Sequence, residues 1–439
     1  MHNIFHRQLL ARQGEGRIVT IGLAGAGQMG TDIAVQCALM PGIRLGAISE
    51  IDGAAAARAL DIAGHGTGRK ADSAAAVTRA IEDGAVALTE DYGALCAADG
   101  IDVVIDATGN PNIGALIALE AIRCGKHVVM LNVEADICIG RHLKREADRA
   151  GVVYTGAAGD EPACTMELIG FARSLGLDVV AAGKGKNNPL DPDAVPDDYA
   201  DEARARDMNA RMLVEFVDGS KTMIEMVAIA NATGLVPDVP GMHGPVATQD
   251  ELASILCPRE DGGVLHRKGV VDYSIGKGVA PGVFAVVEAR HPRVAERLAD
   301  LKVGPGPYFT LMRPYHLTSL ETPLSAARAA ILGEADMVPL DHPVAECVAV
   351  AKRDLKPGDV LGMIGERDYR GFAMTWADAR AEGALPLGLA ERARVTRPIA
   401  RGERITRAAC VADDELVITR IRAELDAADE RFAVAEAAE

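Results

Sequence analysis

The stretch IVTIGLAGAGQMG, residues 18–30, decides the fold. An apolar run with β-branched residues ends in glycines, and a helical pattern follows from Thr31 to Met40. Gly25, Gly27 and Gly30 stand in G-x-G-x-x-G spacing. Such a trio means little alone. Here a strand precedes it, a helix follows it, and a second strand, residues 44–49, ends at Glu50. In that setting Gly25, Gly27, Gln28, Met29 and Gly30 are expected to present backbone N–H groups and a helix N-terminus to a pyrophosphate. Glu50 is placed to accept hydrogen bonds from an adenosine ribose, which leans toward NAD, since a 2′-phosphate would want a basic residue there. The bland alternative is a glycine turn that binds nothing, and the strand–helix context counts against it.

Working outward, strands and helices keep alternating. Residues 86–89, 101–109, 127–132 and 152–156 read as strands, and 113–124 and 139–150 as helices, with Gly125 closing the first of these. Right-handed crossovers then predict a doubly wound parallel sheet with a cofactor at the carboxyl ends of its strands. Thr108, Gly109, Asn110 and Pro111 end one such strand beside the expected nicotinamide, although a tight turn alone would use the same residues. The fold class is therefore α/β. A Rossmann-type domain is expected over 1–155, a central α+β substrate or dimerisation domain over 156–338, and a small β-rich domain with a C-terminal helix over 339–439. The last region repeats itself weakly: RDLKPGDVL (353–361) resembles RPIARGERIT (397–406).

Two segments of the central region carry reactive side chains. Asp160 and Glu161 precede Pro162 and a helix. Adjacent carboxylates there suit a divalent cation or acid–base work, but they also suit a helix N-terminus, and spacing alone favours the latter. The loop Gly183-Lys184-Gly185-Lys186-Asn187-Asn188-Pro189 follows an apolar strand. Its lysines and asparagines make a compact site for an anion or for proton donation to a carbonyl. Arg313 and His316 follow a strand-like YFTLM (308–312) and are weaker candidates for contact with an anionic substrate. His243 is weaker still.

Composition narrows the partners. The 439 residues hold 46 Lys and Arg against 63 Asp and Glu, a net charge of −17. That opposes binding to nucleic acid or an anionic membrane. No apolar run reaches the roughly 18 residues of a membrane span. The eight cysteines are scattered without a C-x-x-C pair, which fits a reducing cytoplasm. The N-terminus lacks a continuous apolar core and reads as a short docking helix rather than a signal peptide.

The stretches GLAGAGQMG, DATGNP and LNVEAD resemble nucleotide domains of the homoserine dehydrogenase type. GDEPACTMELIGFARSLG, GKGKNNPLDPDA, PGPYFTLMRPYHLTSLETP and PGDVLGMIG…ARGERIT are similar to a narrower group, homoserine dehydrogenase-like oxidoreductases with a C-terminal SAF (β-clip) domain. That group includes an alternative 1-deoxy-D-xylulose 5-phosphate reductoisomerase of isoprenoid precursor synthesis. The resemblance implies NADPH or NADH as cofactor, a phosphorylated sugar as substrate, Mg²⁺ or Mn²⁺ as a Lewis acid, and a homodimer. On that reading Asp160 and Glu161 would hold the cation. Lys184, Lys186, Asn187 and Asn188 would hold the phosphate or polarise the carbonyl. One departure stands out. The homoserine dehydrogenase strand end reads Asn-Lys, where this chain has Asn132-Val133-Glu134. Two alternatives stay open: a dehydrogenase of a sugar acid or hydroxy acid, and a nucleotide-binding sensor without turnover.

Overall fold

The computed structural model describes residues 4–66, 68–205 and 209–436. These form two compact units, residues 1–160 with 317–338 and residues 161–316 with 339–439.

The first unit is built on seven parallel strands: β1 (Val19–Ala24), β2 (Ile43–Ser49), β3 (Arg69–Lys70), β4 (Ala87–Thr89), β5 (Val103–Asp106), β6 (His127–Met130) and β7 (Tyr154–Gly156). Their order is β3-β4-β2-β1-β5-β6-β7. The chain reverses direction across the sheet between β1 and β5, the place where a doubly wound sheet binds its ligand. β1 and β5 are buried along their whole length, which is why they read as unbroken apolar runs. The expected N-terminal helix is present as Ile4–Gly14 and buries Leu9 in the same core.

Two boundaries differ from the sequence expectation. The helix after β6 starts at Val133, not Ile139, because the Asn132 side chain caps it by accepting the Ala135 N–H at 3.2 Å. The helix expected from Met166 starts at Glu161, with Pro162 in its first turn, where proline loses no hydrogen bond.

The tail of the expected central domain also moves. Residues 317–338 belong to the first unit. Their helix Thr322–Leu332 packs on β1, β5 and β6, with Ala326 and Ala327 in the core beside Ile21 and Val129. Ser325 Oγ accepts the Ala158 N–H at 2.7 Å, and Gly156 N–H donates to Met337 O at 2.9 Å. A small-residue helix gave no sequence cue that it packs on strands roughly 190–310 residues earlier.

The second unit has a five-stranded mixed sheet: β8 (Leu177–Gly185), β9 (Val236–Pro237), β10 (Val270–Ser274), β11 (Val283–Ala289) and β12 (Tyr308–Arg313). The order is β12-β11-β8-β10-β9. β8, β10 and β9 run parallel, and β11 is antiparallel to β8 and β12. Helices Glu161–Ser174 and Ser220–Thr233 pack on β8 and β10 and on each other.

Residues 339–439 pack into this second unit rather than standing apart. The hairpin β13 (Ala345–Ala351) and β14 (Tyr369–Thr375) is tied to the helix Ser220–Thr233 by polar contacts. Asn231 Oδ1 accepts the Val344 and Ala345 N–H groups at 2.9 and 3.0 Å, and Lys352 pairs with Asp218 at 3.1 Å with both side chains buried. Buried polar groups need such partners, and the Asn231 end of this helix finds them in the C-terminal stretch. β15 (Arg394–Val395) and β16 (Cys410–Val411) complete the sheets. The sequence repeat is a structural one. Leu355 and Ile399, equivalent residues of the two copies, exchange backbone hydrogen bonds at 2.9 and 3.1 Å. Gly358 and Gly402 both take positive φ and donate at 2.8 Å to Val395 O and Ala351 O, which are themselves equivalent. The helix Val417–Glu436 buries Ile418, Ile421 and Leu425 and pairs Arg422 with Glu346. Among the described residues no helix is long and apolar enough to cross a membrane.

Candidate active site

In the first unit the site is a piece of backbone. Gly25 has φ +96°, and a Cβ there would meet Ala107 O at 2.7 Å. A Cβ on Gly30 would meet Gly25 O at 2.1 Å, so this glycine lets the helix Gln28–Leu39 close onto the turn. A Cβ on Gly27 would meet nothing within 4 Å. Gly25 and Gly30 are therefore demanded by folding, and Gly27 is not. An open position at the helix N-cap is what close approach of a phosphate requires. Gly27 and Gln28 are exposed and Met29 half-buried. Glu50, at the end of β2, turns back to the turn: one carboxylate oxygen accepts the Ala26 N–H at 2.8 Å and the other the Asp52 N–H at 3.1 Å.

Beside the turn, β5 ends in a buried polar knot. Asp106 accepts from Thr108 N–H at 3.0 Å, from Thr108 Oγ1 at 2.7 Å and from Asn132 Nδ2 at 3.3 Å. Burial pushes its carboxyl up to about 6, although the hydrogen bonds from Thr108 and Asn132 pull it down. Asn132 Nδ2 also donates to Asn110 O at 2.8 Å, and Asn110 Oδ1 caps the helix Pro111–Arg123 through the Ile113 N–H at 3.0 Å. The segment Thr108–Pro111 is thus held from beneath, with Gly109 exposed at φ +65°.

The second unit holds a centre made of side chains. Lys184, near the end of β8, is buried. Its Nζ donates to Glu161 Oε1 at 2.7 Å and to Glu225 Oε2. His316 Nε2 lies 3.3 Å from the same Glu161 oxygen. Burial alone would lower the lysine pKa; the two carboxylates overcome it and raise it, so the ammonium stays charged. Burial and the Glu161 charge push Glu225 upward. Two carboxylates against one ammonium leave an excess of negative charge in a dry place.

The remaining expected residues part company. Lys186 turns inward and donates to Phe216 O at 2.6 Å, Asn188 O at 2.9 Å and Pro189 O at 3.4 Å. Burial and Lys184 lower its pKa to about 8. It braces the loop from within, a role that the polar composition of the loop did not distinguish from anion binding. Asn187 is exposed and Asn188 half-buried on that loop. Arg313 lies against the helix Glu161–Ser174, 3.2 Å from Glu167 and with its guanidinium 5.1 Å from the Tyr315 ring centre. Asp160 ends the first unit and is buried; Glu161 opens the second.

Three residues escaped the sequence reading. Glu225 sits in the apolar helix MIEMVAIANA, where a lone acid amid hydrophobes was the available signal. Asp106 and Asn132 lie within the strand patterns 101–109 and 127–132, where nothing local marks them as a buried polar pair.

Residues 159–322 match the family model described as oxidoreductase DRL, catalytic domain. The match takes in Glu161, Lys184, Glu225 and His316, and it supports an oxidoreductase. No curated protein matches the chain. Among solved structures, a probable dehydrogenase from Thermotoga maritima is 16% identical, with 72% of this chain and 90% of that chain covered and a TM-score of 0.41. A scyllo-inositol dehydrogenase from Lactobacillus casei is 13% identical, with 72% and 89% covered and a TM-score of 0.41. A myo-inositol dehydrogenase from Corynebacterium glutamicum is 13% identical, with the same coverage and a TM-score of 0.38. Likeness at this level is too low to bear on function.

Proposed function

We propose that this protein is a nicotinamide-dependent oxidoreductase that reduces a carbonyl, and specifically a 1-deoxy-D-xylulose 5-phosphate reductoisomerase yielding 2-C-methyl-D-erythritol 4-phosphate. The observation that carries the reading is the Lys184 centre, a buried lysine clamped by Glu161 and Glu225 within the segment that matches an oxidoreductase catalytic domain. The glycine turn supplies the other requirement, a backbone cradle for a dinucleotide.

A bound reduced nicotinamide supplies hydride. As a carbonyl carbon accepts that hydride, negative charge grows on its oxygen. Lys184 Nζ is the donor suited to stabilise that charge and to pass it a proton, because the ammonium is a stronger acid than the alcohol that forms. Glu161 and Glu225 hold Nζ in place and keep it protonated. His316 steadies Glu161 from a second side.

A divalent cation fits the donor set. The oxygens are hard ligands, and of the two causes that raise Glu225, burial and then the Glu161 charge, a cation would relieve the second. Within the second unit Glu161 and Glu225 would hold it, and it would polarise substrate oxygens.

Glu50 favours a second reading on the cofactor side. Its carboxylate faces the turn, which suits a ribose hydroxyl and repels a 2′-phosphate. An NADH-dependent dehydrogenase of a sugar acid or hydroxy acid is the reading it supports. The test supplies 1-deoxy-D-xylulose 5-phosphate with NADPH or NADH, with and without Mg²⁺ or Mn²⁺. The expected result is cofactor oxidation with 2-C-methyl-D-erythritol 4-phosphate identified by mass and NMR. Dinucleotide binding without that product would favour the second reading and call for a screen of hydroxylated acids.

A further inference from the structure

Away from Lys184, the second unit brings two imidazoles onto one carboxylate. Asp238 follows the edge strand β9, and its side chain is fully buried. His243 Nε2 lies 2.7 Å and His266 Nδ1 3.0 Å from the same oxygen, Asp238 Oδ2, which also accepts the His266 N–H at 2.8 Å. The other oxygen, Oδ1, is buried and accepts no hydrogen bond; Arg267 Nε stands 3.6 Å from it. One oxygen is thus crowded with three donors while its twin has none. For a hydrogen-bonded carboxylate that is a poor distribution, and a buried acceptor left unmade is costly.

The backbone around the cluster is anchored independently of it. His243 N–H and Gly244 N–H donate to Asp272 at 3.0 and 2.9 Å. Met242, just before, holds φ +65°, a conformation a side chain adopts only when its surroundings impose it. The His243 ring is therefore aimed at Asp238 by main-chain contacts.

We infer that Asp238, His243 and His266 form a binding site for a transition-metal dication, with Zn²⁺ as the best-matched ion and water completing the shell. Two imidazole nitrogens and a carboxylate oxygen are the donor set for such an ion. Bonds of roughly 2.0–2.1 Å at tetrahedral or octahedral angles put neighbouring ligand atoms roughly 2.9–3.4 Å apart. The observed 2.7 and 3.0 Å contacts need only small side-chain adjustments to reach that spacing. All three ligand atoms lie within 4.8 Å of one another. The His266 side chain is 46% exposed, which leaves an entry path and room for water. The Arg267 guanidinium opposes a cation, but its side chain is 55% exposed and free to swing into solvent. The site joins the end of β9, the loop carrying His243 and the approach to β10, so an ion there would pin these three segments together.

The test uses the full chain stripped with a chelator and then titrated with Zn²⁺, and with Co²⁺ as a visible-absorption probe. The expected result is one tightly bound ion per chain, with Co²⁺ bands of an imidazole–carboxylate site. His266→Gln should weaken Zn²⁺ binding more than about a hundredfold, beyond the roughly 10–100-fold that loss of an outer-shell partner costs, and should abolish the Co²⁺ bands. This side chain is half exposed, so the variant is expected to fold; circular dichroism verifies it. His243→Gln should behave alike. Glu225→Gln should leave binding at this site unchanged, separating it from the Lys184 centre. Absence of stoichiometric binding in the wild type, or binding that survives both histidine replacements, would overturn the assignment.

Discussion

The glycine turn uses six consecutive residues and almost no side chain, whereas the Lys184 centre draws its four groups from positions 161, 184, 225 and 316. The first works through main-chain N–H groups and the shape that glycine permits. The second works through charge held in a buried place. A site of the first kind tolerates change at its side chains and fails when a Cβ is added. A site of the second kind fails when one charge is removed, because the others are left unpaired.

The largest effect is expected at Lys184. Replacing it with Gln leaves Glu161 and Glu225 facing each other without the ammonium they share. Breaking a buried ion pair costs about 3–5 kcal/mol, and urea denaturation should show a loss of that order. An unchanged midpoint would mean that the charges are solvated and the centre is not the dry clamp described.

The next effect is a pH dependence in the first unit. The folded chain holds the Asp106 proton up to about pH 6, whereas its ordinary value is 3.8. Between these limits the unfolded chain releases a proton that the folded chain keeps, so stability falls as pH rises through that window. At about 1.4 kcal/mol per pH unit the fall is on the order of 3 kcal/mol. Asp106→Asn should make the fall shallower, leaving the part due to Asp136 and Asp272, which burial also raises to about 6, measured as urea midpoints from pH 4 to 6. A slope identical to wild type would remove Asp106 from the account.

Gly30→Ala comes third. Its Cβ would meet a backbone carbonyl, so overpacking should lower stability by about 1–3 kcal/mol and weaken dinucleotide binding together. Binding lost with stability intact would instead put ligand contact at Gly30.

Lys186→Ala is the smallest. Three carbonyls lose their donor, a loss of about 1–3 kcal/mol reduced by whatever water reaches them. KM should shift alike for a phosphorylated substrate and its dephosphorylated analogue. A selective rise for the phosphorylated form would restore Lys186 as a phosphate ligand.

The same contrast governs what could be read from the chain. Gly25, Gly27, Gly30 and Glu50 were legible because strand, turn and helix are contiguous, and local physics fixes their arrangement. The internal repeat at 353–361 and 397–406 was legible as similarity, but not its pairing, which depends on two copies folding back on each other. Lys184 was visible as a lysine after a strand. Its partner Glu225 was not, since only the packing of the helix Ser220–Thr233 on the sheet brings it near. Lys186 looked like Lys184 in sequence, yet its ammonium is taken up by the carbonyls of Asn188, Pro189 and Phe216, the last brought near only by folding. The helix Thr322–Leu332 was misplaced for the same reason, its small-residue face being compatible with either sheet.

The most direct measurement is a crossed one, made at a temperature where all forms are folded. Reduced dinucleotide affinity and turnover are measured side by side for the wild type, Gly27→Ala and Lys184→Gln. Gly27→Ala adds a Cβ in open space, so it should leave the melting temperature unchanged and weaken the dinucleotide at least tenfold. Lys184→Gln should bind the dinucleotide as the wild type does and lose roughly 10²–10⁴-fold in kcat. A Gly27→Ala protein that binds normally, or a Lys184→Gln protein that turns over normally, would contradict the division of labour between the glycine turn and the lysine centre.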